Sequence, residues 1–136
     1  MKGRRILCIL AAAALLLSGC GARRADREKT GELEYETVDG PELPETLRQK
    51  IEKEKDEPFL LAYGDGGRLY IALGYGEQES GGYSIRIEEA YETEDAVCIR
   101  TCLTGPDEGE EVLREADYPW AALEADYTEK RILWEM

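Results

Sequence analysis

The side chains able to do chemistry in this 136-residue chain are a restricted set: 30 Asp and Glu, eight Tyr, four Cys, and no histidine. Without imidazole, neither a Ser-His-Asp nor a Cys-His nucleophile system can be built, and zinc loses its nitrogen ligand. An enzyme here would have to run on carboxylates, tyrosines or cysteines. A pair of carboxylates at glycosidase spacing is the obvious arrangement. With 30 acids some pair reaches that spacing by chance, so abundance is no signal. Cys98 and Cys102 stand four apart on an expected strand. They share a face about 13 Å apart, beyond the roughly 7 Å limit for a disulfide. With no further Cys or His ligand a metal is not expected, and both thiols read as small buried side chains. No residue is assigned a catalytic or metal-binding role, and the chain is expected not to be an enzyme.

Cys20 has a different setting. Lys2, Arg4 and Arg5 precede an apolar run, Ile6 to Leu17, too short to cross a bilayer core of about 30 Å. The run ends in Leu17-Ser18-Gly19-Cys20. This order resembles a bacterial lipoprotein signal peptide, residues 1–19, with a lipobox whose cysteine receives a diacylglyceryl group and becomes the new N-terminus. Two acyl chains, at about 0.8 kcal/mol per buried CH₂, hold stably in a membrane. The expected location is the extracytoplasmic face of a bacterial cell membrane, with that covalent lipid on Cys20 and no cofactor. Cys8 leaves with the leader. Residues 20–32, with Arg23, Arg24, Arg27 and Lys29, read as a charged tether, which as a flexible coil reaches about 18 Å. Its arginines either touch anionic headgroups or are simply solvated. The net charge of -13 argues against nucleic acid as a partner, because phosphate binding needs a basic patch.

Residues 33–136 are long enough for one domain. Leu33 to Val38 is rich in β-formers and closed by Asp39-Gly40-Pro41, which predicts a short strand and a turn. Pro44 opens an amphipathic helix with Leu47 and Ile51 on one face, Thr46 and Gln49 spaced as a capping box, and Pro58 as its stop. From Phe59 the period becomes two. Phe59 to Tyr63 and Arg68 to Tyr75 flank Gly64-Asp65-Gly66-Gly67 and predict a hairpin. One acid in that turn is far short of a calcium site. Tyr83 to Ile87, Val97 to Leu103, Tyr118 to Ala125 and Arg131 to Trp134 supply further strands. The expected fold is mainly β, a small antiparallel β-sandwich or partly closed barrel with one N-terminal amphipathic helix.

Between two of these strands, Gly74 to Ile85 holds four glycines and two tyrosines. Glycines permit close backbone approach, and tyrosines give rigid contact area with a polar tip. The segment suits a recognition loop, with Tyr75, Glu77, Ser80, Gly81, Gly82 and Tyr83 as its binding residues. It suits equally a structural turn in which Gly81-Gly82 permits a bulge. Phosphate binding is disfavoured, because neither a helix nor a lysine follows the glycines.

The run Tyr75-Gly76-Glu77-Gln78-Glu79-Ser80-Gly81-Gly82-Tyr83-Ser84-Ile85, the strand from Ala96 to Leu103, the loop Thr104-Gly105-Pro106 and Tyr118-Pro119-Trp120 together are similar to the C-terminal domain of the protease complex subunit PrcB family. The similarity covers about residues 59–136. Ser80 stands where that family usually has Thr, which keeps a hydroxyl. The family is named for an accessory lipoprotein of a surface-exposed, subtilisin-like protease complex. The resemblance therefore implies a non-catalytic, membrane-anchored module that binds an exported protease or another envelope protein. Ser80-Gly81-Gly82-Tyr83 also resembles the Thr-Thr-Gly-Tyr loop of chagasin-type inhibitors of cysteine proteases, which implies protease inhibition as the alternative. A third class, an envelope lipoprotein binding wall polymer or a small ligand, expects a row of exposed aromatics, for which Tyr118, Trp120 and Trp134 are the candidates.

Overall fold

Ten short elements follow one another in the computed structural model, which describes residues 29–136. The leader, the lipobox with Cys20 and most of the tether lie outside the described residues. The strands are β1 (Gly31–Glu32), β2 (Tyr35–Thr37), β3 (Pro58–Asp65), β4 (Arg68–Tyr75), β5 (Ser84–Glu92), β6 (Ala96–Thr104), β7 (Trp120–Asp126) and β8 (Arg131–Glu135). A 3₁₀ turn, Gly40–Glu42, and one α-helix, α1 (Glu45–Glu54), stand between β2 and β3. The strands form two four-stranded sheets, ordered β1-β5-β6-β8 and β2-β7-β4-β3, and neither closes into a barrel.

The chain divides into two compact units. The larger holds residues 34–88 and 101–129, and the described part of the smaller holds residues 29–33, 89–100 and 130–136. The larger unit contains the whole β2-β7-β4-β3 sheet. Its hairpin turns on Gly66 and Gly67, whose φ angles of 61° and 83° are those a two-residue turn needs. β4 is paired on both sides, to β3 and β7, and alternates its side chains between two buried faces. Leu69, Ile71 and Leu73 belong to one face with Leu123 and Ala125 of β7, all fully or nearly buried. On that side Tyr75 hydrogen-bonds through its hydroxyl to Oγ1 of buried Thr101 on β6, 2.6 Å away, which makes this unit sandwich-like.

The opposite face carries the helix. Leu47 and Ile51, one turn apart, are buried with Leu43, Val38, Phe59, Ala72 and Ala122, and Leu61, Tyr63, Tyr70 and Trp120 pack around them. Gly74 makes this possible, since a Cβ there would lie 2.2 Å from Phe59 Cε2. The Phe59 ring occupies the place of the missing side chain.

Four sequence expectations meet different local answers. The helix starts at Pro44 with no side-chain cap, and Gln49 instead donates to Glu45 Oε2 (3.2 Å). The reciprocal cap lies earlier. Asp39 N–H donates to Glu42 Oε1 (3.3 Å) and Glu42 N–H to Asp39 O (2.9 Å), closing the 3₁₀ turn. The segment from Leu33 to Val38 is a strand only over Tyr35–Thr37. Residues 30–32, assigned from sequence to the tether, already pair with β5, with Thr30 N–H donating to Glu92 O at 2.7 Å. Finally, β8 runs parallel to β6, which the antiparallel expectation did not include. A parallel partner requires a crossover, and the chain from β6 supplies it by passing through β7 of the other sheet.

In the smaller unit, Lys130 donates to Glu92 Oε1 (3.0 Å) and to Thr93 O (2.9 Å), and Arg100 pairs with Glu89 (2.7 Å). Cys98 is buried and Cys102 half-buried, both as free thiols.

Gly74→Ala is expected to lower unfolding free energy by about 1–3 kcal/mol in urea titrations, the range for an overpacked core. Adding Phe59→Leu should return part of it. A double variant whose loss equals the sum of the single losses would refute the contact as its cause.

The face beyond the helix generates a pH prediction. Loss of solvation, with the carboxylates of Glu124 and Asp65 nearby, raises the Tyr70 phenol above the ordinary tyrosine value of 10.0. A raised folded pKa leaves stability unchanged below the unfolded value and erodes it as pH climbs through the folded one. Tyrosinate absorbance should therefore lose a late-titrating phenol in Tyr70→Phe; loss of an early-titrating phenol instead would contradict this environment.

Candidate functional site

The loop from Gly76 to Tyr83 leaves β4 and is fastened at each step. Gly76 turns the chain at φ 82°, and a Cβ there would stand 3.0 Å from Pro58 Cδ. Glu77 N–H donates to Asp56 O (3.2 Å). Gln78 and Asp117 exchange two backbone hydrogen bonds, 2.7 and 3.0 Å, forming an isolated antiparallel bridge. Gly81 N–H then donates to Leu113 O (3.0 Å), and Ser80 Oγ to Gly81 O (3.1 Å).

The glycines are positions where two loops touch. Gly82 has φ 93°, and an added Cβ would meet Val112 Cγ1 at 2.8 Å and Pro106 Cβ at 2.9 Å. Gly105, in the facing loop, carries the Tyr83 ring, 3.1 Å from where its own Cβ would be. Gly81, Gly82 and Tyr83 thus lock the 76–83 loop against the 105–117 loop. Tyr75 turns inward to Thr101.

The first loop offers Glu77, Glu79 and Gly82 to solvent, and the second exposes acids from Asp107 to Glu111 together with Leu113, which is 72% exposed. An open depression of about 490 Å³ is lined by Glu77, Gln78, Glu79 and Tyr83. Of the six residues expected from sequence, Glu77, Ser80, Gly81, Gly82 and Tyr83 come together here, while the Tyr75 hydroxyl points away. Leu113 was missed. Its signal was present, as a lone large apolar residue in an acidic stretch, Glu110-Glu111-Val112-Leu113-Arg114-Glu115.

The three aromatics considered as a row have separate surroundings. Tyr118 lies under Lys55 Nζ, 5.0 Å from its ring centroid, and Trp120 packs against the helix core and Gly40. Trp134 is half-buried on β8. Among the described residues, no group of three or more acids or cysteines is arranged to hold a metal ion.

Fold and site together define a class: a small two-sheet β protein whose larger unit carries a helix on one sheet face and presents a clamped acidic loop pair. The family model described as PrcB C-terminal matches residues 69–126, which supports membership of that family for this part of the chain. No curated protein and no solved structure matches the chain. The matched stretch begins in β4 and ends with β7, so it contains both clamped loops and the strands that hold them.

Gly82→Ala is expected to cost about 1–3 kcal/mol through its positive φ and its overlap with Val112 and Pro106, whereas exposed Glu79→Lys should change stability by less than about 0.5 kcal/mol. Urea midpoints decide it, and equal midpoints for the two variants would show that the loops are not clamped.

Proposed function

We propose that this protein is a non-catalytic accessory module that binds a protein partner at the extracytoplasmic face of a bacterial membrane, held there by a lipid on Cys20, and that the partner belongs to an exported protease complex. The observation that carries this reading is the PrcB C-terminal match over residues 69–126, which supports a protease-complex-associated role. The geometry is compatible with binding rather than chemistry. The double loop is rigidly pinned, so presenting Glu77, Glu79 and Leu113 to a partner carries little ordering cost. The leader and lipobox sequence supports the anchor. A chagasin-type entry into a protease cleft would use a projecting loop, whereas Ser80 to Tyr83 lies against Pro106, Val112 and Leu113.

The test is crosslinking and capture from intact envelopes with the native protein as bait. The reading expects an exported protease among the captured proteins, reduced about tenfold or more when Glu77→Arg, Glu79→Arg and Leu113→Ser are combined, corresponding to loss of about 1.4 kcal/mol. It also expects Cys20→Ser to release the protein from the membrane fraction. Equal capture by both baits, or capture without any protease, would sink the accessory role, and a membrane-bound Cys20→Ser protein would sink the anchor.

A further inference from the structure

Among the described residues β3 is an edge strand with no neighbour on its outer side. The two-residue turn closes the hairpin on Asp65 and Arg68, so Asp65, Tyr63, Leu61 and Phe59 are the members of β3 whose backbone groups bond to β4. The far side of β4 gives the same phase. There Tyr75 N–H donates to Pro119 O (3.2 Å) and Tyr127 N–H to Gly67 O (3.0 Å), aiming the odd-numbered residues of β4 at β7. Leu60, Ala62 and Gly64 therefore direct N–H and C=O outward. No backbone or side-chain bond to these groups occurs among the described residues.

The side chains along this edge are apolar. Leu60, Ala62 and Gly64 are exposed, yet they lie on the same sheet face as their buried cross-strand partners Leu73, Ile71 and Leu69. The Tyr127 ring sits on that face too, 2.8 Å from where a Gly64 Cβ would be. Leu60 (37%) and Tyr127 (52%) are two of the four large apolar side chains exposed among the described residues. Edge strands are ordinarily blunted by an inward charge, a bulge or an internal proline. Phe59 to Gly64 has none of these.

The ends of the strand select the occupant. Asp56 and Glu57 precede it and Asp65 ends it, all exposed acids. The neighbouring bases are engaged: Lys55 pairs with Glu52 (3.2 Å) and covers Tyr118, and Arg68 is held by Glu124 (2.9 Å) and Asp126. An antiparallel second copy would bring Asp65 of each chain toward Glu57 of the other, and like charges across a strand pair are destabilising.

We propose that the outer edge of β3, from Pro58 to Asp65, docks an extended segment of a partner protein as a fifth strand, with β-branched residues at its centre and lysine or arginine at its ends. Its backbone would meet the outward groups of Leu60, Ala62 and Gly64, and alternate side chains would extend the buried face past Leu60 and Tyr127. One end of this edge adjoins the 76–83 loop, where Glu77 N–H donates to Asp56 O (3.2 Å), but the outward backbone groups of Leu60, Ala62 and Gly64 are not part of that loop.

The test uses the full chain in detergent and a labelled nonapeptide of alternating valine and threonine with two lysines at each end. A control peptide carries glutamates in place of the lysines. The lysine peptide should bind about tenfold or more tightly at low salt, the margin shrinking as salt is added. It should slow hydrogen exchange at the amides of Leu60, Ala62 and Gly64. Ala62→Pro removes one outward N–H and no ladder bond, so it should abolish binding with the urea midpoint nearly unchanged. If Ala62→Pro does not fold, Leu60→Lys serves instead and should weaken binding about tenfold or more by placing a charge on the edge. Equal affinity for the two peptides, or slowed exchange elsewhere, would overturn the proposal. So would a dimer in sedimentation that either variant dissolves, which would give the edge to a second copy. None of these readouts uses the envelope partner, so this proposal and the accessory role fail separately.

Discussion

The larger unit depends on one strand being buried on both faces. β4 bonds to β3 on one side and β7 on the other, so the backbone polar groups of its centre are paired within the sheet. Its side chains can then be spent on two apolar contacts at once. Leu69, Ile71 and Leu73 serve the buried face that Tyr75 shares, while Tyr70, Ala72 and Gly74 serve the helix. The sizes on the helix side are small toward Gly74 because Phe59 crosses there from β3. The hydrophobic stripe of α1 is only Leu47 and Ile51, and it is sufficient because the sheet brings the remaining apolar surface.

The same construction decides where surfaces are left over. At the end of β4, the chain cannot continue in the sheet and turns at Gly76, and its loop is secured by bonds to Asp56, Asp117 and Leu113. Side chains not needed for that clamp, Glu77 and Glu79, face solvent. At the margin of the sheet, β3 has no neighbour beyond it among the described residues, and half of its backbone groups face outward. One constraint, a doubly paired central strand, thus yields both a pinned acidic loop and an unpaired apolar edge.

Local rules made most of the elements legible. The hairpin followed from its glycine turn, and the helix from Leu47, Ile51 and the flanking prolines, because these signals act over a few residues. The capping assignment failed for a related reason. Thr46 and Gln49 have suitable spacing, but the chain adopts its reciprocal cap at Asp39 and Glu42, where a 3₁₀ turn, not the helix, begins. The loop residues were legible as a group, while their roles were not. Gly81 and Gly82 serve an approach to Pro106, Val112 and Leu113, residues far along the chain, and Tyr75 serves Thr101.

The sequence by itself determined composition, period and local turns: a mainly β chain with one helix, strong negative charge, no histidine, and a family resemblance that its residues carry. Tertiary structure alone decided which face each strand buries twice, that β8 lies parallel to β6, that Leu113 joins the loop surface, and that β3 is left at an edge. The physical reason is range. A period or a turn is fixed by neighbours a few residues apart, whereas sheet order and loop contact are fixed by pairings between distant segments, which no local pattern specifies.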